Sequence, residues 1–337
     1  MIEILIFAAV STLLYRLGLG PLLFLIPLQV LYMRRGRKYF AAAAGLSLVL
    51  ILLIGVLLAR RWSMAGAELT QAALSRAAPF LLLDMAVAVL LIGGLALIQL
   101  PEMNPELQVY RLPRVTRLAI ATIIAGILSV PLILYLRGND EFAAGVREFV
   151  GLRIEAMNNA FMGADSDSLL PGVQPLQTEA LLEAINAILL RSFLFYYFLL
   201  LTFSWWLGTI IGARSVGKHP GLTRIADFKL PDRYIWPLIA SLALVVLTLV
   251  ASIEFLGILA WNALLILVFL YGVSGLGIIR FLLKKLNVRP GVRWMLIAAI
   301  IILAMTPRIG IAVLILVPGL GVSEVWLKYR REERSNI

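Results

Sequence analysis

The chain has 337 residues, 61% of them hydrophobic and 15% charged, with a mean hydropathy of +0.96; soluble domains are nearer half apolar and a quarter charged, and the excess here runs along the whole length, which excludes a soluble domain on a single anchor. The net charge of +11 sits in short basic clusters between apolar runs, the pattern that orients membrane spans, so no nucleic-acid partner is expected. With no cysteine and His219 as the one histidine, disulfides, thiolate chemistry and a histidine metal site are excluded, and neither metal nor cofactor is expected.

About 20 apolar residues cross a bilayer. Ile2–Tyr15 is a short first apolar segment that lacks the basic start and small-residue cleavage site of a secretory signal. Arg16–Gly20 reads as a turn. Pro21–Met33 returns to Arg34, Arg35, Arg37 and Lys38, a basic closure that marks the cytoplasmic end of a span. The two segments read as two short spans or as a hairpin bent at Gly18-Leu19-Gly20-Pro21.

Phe40–Ala59 is the third segment and opens with the small-residue run Ala41–Gly45, which favours close helix contact in lipid. Pro79–Leu100 carries Asp84. Leu118–Leu136 carries Pro131, tolerable where neighbours satisfy the freed carbonyl. Ile188–Ile211 is rich in aromatics. Ile235–Ile253 and Leu256–Ile279 follow, and Trp294–Met305 and Ile309–Val325 close the series around Thr306-Pro307-Arg308.

One long polar insert, Arg137–Asn186, interrupts the apolar pattern. It is dominated by acids such as Asp140, Glu141, Glu148 and Glu155. Its apolar residues Phe142, Val146, Phe149, Val150 and Ile154 step by three and four, one face of a helix. Thr178 is placed to cap a helix leading into the next span. The face can lie on the outer leaflet, cover a cavity mouth, dock a partner, or pack on the protein's own spans. Phe142, Phe149 and Ile154 are its partner-binding candidates.

The fold class is therefore all-α: a polytopic transmembrane helical bundle of about 8–10 spans with one long, external, partly helical insert. Residues 1–136 hold the N-terminal spans, 137–186 the acidic insert, and 187–337 the C-terminal spans with a basic tail. Arg and Lys concentrate in alternate loops, which puts both termini on the cytoplasmic side and the insert outside.

Charged residues within spans are costly and so are functional candidates. Asp84 and Arg191 lie at similar shallow depth near the outer ends of their segments. Together they form a candidate ligand or ion site, against snorkelling of Arg191 and a structural ion pair for Asp84. Asn262 is polar within its span and serves either a ligand or inter-helix bonding. Gly272, Gly275 and Gly277 follow an apolar span, not a strand, and lack the Gly-Lys-Ser/Thr of a phosphate loop. They read as close helix packing. No Gly-x-Ser-x-Gly elbow, His-Glu-x-x-His helix or paired membrane carboxylates appear, so an enzyme is not expected.

Several stretches in order carry a resemblance: the hairpin ending in RRGRK, then FKLPDRYIW, FLYGVSGLGIIRFLLKKL and PGLGVSEVWLKYR. Together they resemble the YybS-like family of bacterial multispanning membrane proteins, most strongly from Phe228 to Arg330. That family is distantly similar to the substrate-binding components of energy-coupling-factor transporters and to the cell-shape protein MreD. The resemblance implies the bacterial inner membrane and supplies no catalytic residues. Two expectations stand: a transport-related protein binding a small molecule between spans, or a non-catalytic scaffold recruiting membrane or envelope partners. The lipid bilayer is the partner common to both.

Overall fold

The computed structural model describes residues 1–17, 23–64, 71–99, 114–162, 178–217, 219, 227–251, 253–306, 309–327 and 329–330. Among them the secondary structure is helical throughout. The helices are α1 (Ile2–Arg16), α2 (Leu25–Arg35), α3 (Arg37–Met64), α4 (Gln71–Ile98), α5 (Arg114–Arg137), α6 (Asp140–Met162), α7 (Thr178–Ser215), α8 (Ile235–Ala251), α9 (Glu254–Lys285), α10 (Pro290–Ala304) and α11 (Ile309–Leu327). Large apolar side chains stand exposed along them, such as Leu249 at 73%, Val250 at 82% and Leu316 at 70%. An apolar exterior on apolar helices is the surface a bilayer covers.

Among the described residues seven helices are long and apolar enough to cross a membrane, namely α3, α4, α5, α7, α8, α9 and α11, and α10 is apolar but shorter. The all-α polytopic bundle expected from the sequence is what these helices form. Helices α1, α2 and α10 have 15, 11 and 15 residues. At 1.5 Å per residue they reach only about 16–22 Å, against a hydrocarbon core of about 30 Å.

The chain forms two compact units, residues 1–190 with 196–220 and residues 191–195 with 221–337. In the first, α1 and α2 form a pair. Glu3 at the start of α1 bonds Arg35 at 2.8 Å and lies 3.7 Å from Arg34 at the end of α2. The start of α1 and the end of α2 therefore lie at one level, an antiparallel arrangement common to both readings of this pair; the Gly18–Pro21 bend lies outside the described residues. Gly36, with φ +87, closes α2 by donating its N–H to the Tyr32 carbonyl at 2.8 Å. That backbone region suits glycine and lets α3 start one residue later.

Small residues then set how close the helices come. Ser47 of α3 donates to the Ala8 carbonyl of α1 at 3.4 Å. Within the run Ala41–Gly45, Ala43 and Ala44 are buried. On α7, Gly208 and Gly212 face α2: a Cβ on either would come within 2.6–2.7 Å of the Cβ of Gln29 or Met33. This is a Gly-x-x-x-Gly contact between backbones. Helix α7 has 38 residues, about 57 Å, so it extends well past one bilayer crossing. Thr178, expected as its cap, is its first residue.

The second unit is built on α9. Gly275 of α9 packs on the Val317 carbonyl of α11, and Gly321 of α11 packs on the Tyr271 carbonyl of α9. Close packing, not phosphate binding, uses this glycine set. Asn287, with φ 54, ends α9. Val288 N–H bonds the Leu283 carbonyl and Asn287 N–H the Lys284 carbonyl, both at 3.1 Å, a Schellman closure. Pro290 then opens α10 at a position that needs no N–H.

Candidate functional site

Asp84 lies about 9 Å along α4 from Ala78, where the spanning part of that helix opens. Arg16 Nη1, at the far end of α1, is 3.0 Å from its Oδ2. Tyr15 Oη donates to Asp84 Oδ1 at 2.8 Å and lies 2.9 Å from the Asp84 carbonyl. Arg16 Nη2 donates to the Ile51 carbonyl of α3 at 2.6 Å. One guanidinium thus ties α1, α3 and α4 together. Gly55 of α3 provides the space, since a Cβ there would lie 3.0 Å from Arg16 Nη2 and 2.9 Å from Leu81 Cδ2. Phe24 meets the Tyr15 ring edge-on, 5.1 Å between centroids. The side chains of Arg16 and Asp84 are 24% and 27% exposed, so the pair is only partly covered by the protein. The site combines a carboxylate, a cation and a phenol, which equips it for charge recognition; it lacks a nucleophile held by a base.

Depth matching in the sequence pairs Asp84 with Arg191; the structure gives Asp84 to Arg16 and Tyr15. Hydropathy opens this segment at Ile188, three residues before Arg191, but α7 already begins at Thr178. Arg191 itself is exposed. Asn262 is buried, and its Oδ1 accepts from the backbone N–H of Leu194 at 2.9 Å and of Phe195 at 3.2 Å. Its Nδ2 donates to the Ile258 carbonyl at 2.8 Å. Of its two readings, inter-helix bonding fits these contacts, because both ends of the amide are engaged.

The insert's three candidates are not equally covered. Phe142 stacks on Phe80 of α4 at 4.9 Å, and a Cβ on Gly145 would press on the same ring at 2.9 Å. Ile154 is buried, whereas Phe149 is 57% exposed. Packing on the protein's own helices therefore claims Phe142. Phe149, beside the exposed Leu152 and under the Arg153 guanidinium at 5.4 Å, remains outward.

Two polar clusters escape sequence reading. Gln29 of α2 is buried and donates to Thr209 Oγ1 at 3.0 Å, and Gln99 donates to Gln29 Oε1. The signal was a single amide within the apolar run PLLFLIPLQVLYM. In the second unit, Glu324 of α11 is 3% exposed. Arg330 Nε lies 3.1 Å from Glu324 Oε1, and its Nη1 and Nη2 donate to the carbonyls of Phe228 at 2.6 Å and Ser274 at 2.8 Å. Burial pulls the Arg330 guanidinium below its usual range while Glu324 pushes it back up. The stretches FKLPDRYIW, FLYGVSGLG and PGLGVSEVWLKYR thus meet at one arginine. Among the described residues no group of His, Asp or Glu could hold a metal ion.

An apolar exterior and, among the described residues, seven helices long and apolar enough to cross a membrane define a polytopic helical membrane protein. A family described as predicted membrane protein (DUF2232) matches residues 113–316, more than half of the chain, and the chain belongs to that family. No curated protein and no solved structure matches it.

Proposed function

We propose that this chain is a transport-related, non-catalytic membrane protein of the YybS-like type that binds a small molecule between its spans at Asp84. The observation that carries the reading is the Arg16–Asp84 pair, a quarter exposed within the apolar helices. Charge at such a depth costs a few kcal/mol on insertion scales and is retained where it contacts a ligand or an ion. In this reading the short apolar α10 crosses as well, a mismatch that local bilayer thinning accommodates, so that the basic loops and both termini face the cytoplasm of a bacterial inner membrane, and the site opens outward.

The test is retention of small molecules by the full chain purified from native membranes in mild detergent. Native mass spectrometry should find a bound species that is lost in Asp84→Asn. Equal retention in the variant would place binding elsewhere. A scaffold role is the second reading, favoured by the exposed Phe149 and Leu152 on α6. It expects an envelope protein to co-purify with the wild type and to be lost in the double variant Phe149→Ser, Leu152→Ser.

A further inference from the structure

We infer that the Arg16–Asp84 site selects a zwitterion, a group carrying an ammonium and an oxyanion together. The inference rests on the binding role proposed above and names its ligand class. The pair is closed and charge-neutral, with Arg16 Nη1 3.0 Å from Asp84 Oδ2. To enter, a ligand must take the place of one partner for the other. A simple anion that captures Arg16 leaves Asp84 uncompensated among apolar helices. A simple cation that captures Asp84 leaves Arg16 in the same state. Stranding one half of a part-buried pair among apolar helices is more costly than exchanging both halves. Only a ligand bearing both signs re-satisfies both residues and keeps the site neutral.

A second observation is independent of the pair. Arg16 Nε is buried and has no hydrogen-bond partner among the described residues. Its neighbours Nη1 and Nη2 are engaged by Asp84 and the Ile51 carbonyl. An unmet buried donor costs free energy until an acceptor arrives. An oxyanion beside Nε would satisfy it, and a carboxylate or phosphate can take two guanidinium donors at once. Asp84 would then accept the ammonium, with Tyr15 Oη retained on its Oδ1. The Gly55 gap keeps the guanidinium free of a Cβ on the α3 side.

The same chemistry occurs in a free amino acid and in a phosphatidylethanolamine headgroup, and the experiment separates them. The full chain is placed in nanodiscs of phosphatidylglycerol and titrated calorimetrically with three matched mixtures. These are zwitterionic α-amino acids, the amines they give without the carboxylate, and the acids they give without the ammonium. In parallel, the chain from native membranes is examined for retained phosphatidylethanolamine. Binding of the amino acids at least about tenfold tighter than either partner mixture, or selective retention of phosphatidylethanolamine, supports the inference and identifies the source.

Arg16→Lys is the decisive variant. Lysine keeps the ion pair with Asp84 and so the fold, but lacks a fork with a spare donor. It should stay folded, melting below the wild type only by the lost bond to the Ile51 carbonyl, and lose at least about tenfold in affinity. A singly charged species bound instead, and lost in Asp84→Asn, overturns the zwitterion class and leaves the binding role standing. No small molecule or lipid bound by any form overturns both. Zwitterion binding unchanged in Arg16→Lys overturns the assignment to this site.

Discussion

Asp84 is the residue whose partner the structure changes. Asp84→Asn leaves Arg16 facing a neutral amide in place of its counter-charge, with the Ile51 carbonyl kept, a cost of at least about 1–3 kcal/mol. The double variant Arg16→Gln, Asp84→Asn removes both charges. It should recover part of that loss, since a stranded ion costs more than an absent pair. Thermal unfolding in detergent checks both. A double variant no more stable than Asp84→Asn would show that the pair contributes nothing beyond its separate hydrogen bonds. Asp84 was legible because a lone carboxylate in an apolar run stands out. Arg16 was not, because it closes a segment too short to count as a span, so its charge read as turn chemistry. Glu324 was readable in the same way as Asp84, and lay hidden at the edge of the last apolar run.

Helix contacts follow from small residues more than from charge. Gly208→Leu should push α7 off α2, because a Cβ already meets Gln29 Cβ at 2.6 Å. Overpacking of this kind costs about 1–3 kcal/mol. Gly275→Leu presses on α11 backbone and should cost at least as much. The lipid-exposed Val250→Leu should be neutral, since that side chain is 82% exposed. A melting series on the three variants tests the ranking, and equal melting would refute it. The apolar runs revealed where helices cross but not how long they are. Ile188–Ile211 became Thr178–Ser215 because hydropathy registers the lipid-facing stretch, while backbone hydrogen bonding carries the helix on past the interface.

For the whole molecule, the family match begins at residue 113. It covers Asn262 and Ser274 but leaves out Tyr15, Arg16 and Asp84. The family match and the candidate ligand site therefore fall in different parts of the chain. Having no cysteine, the protein accepts single reporters without background. Cysteines at Gly217 and Asn287 should react with a membrane-impermeant maleimide only after the membrane is opened, whereas one at Gly138 should react on intact cells. Gly138 labelling only in opened membranes would reverse the proposed orientation.

The arginine that gathers three distant stretches also sets a timetable. Arg330 fastens carbonyls 102 and 56 residues earlier in the chain. Synthesis runs at about 5–20 residues per second, so the Phe228 carbonyl waits about 5–20 s for its donor. During that interval α8 and α9 are already made, and Glu324 arrives before its counter-charge. A chaperone or insertase that shelters polar groups has those seconds in which to act, and the arrival of Arg330 ends them.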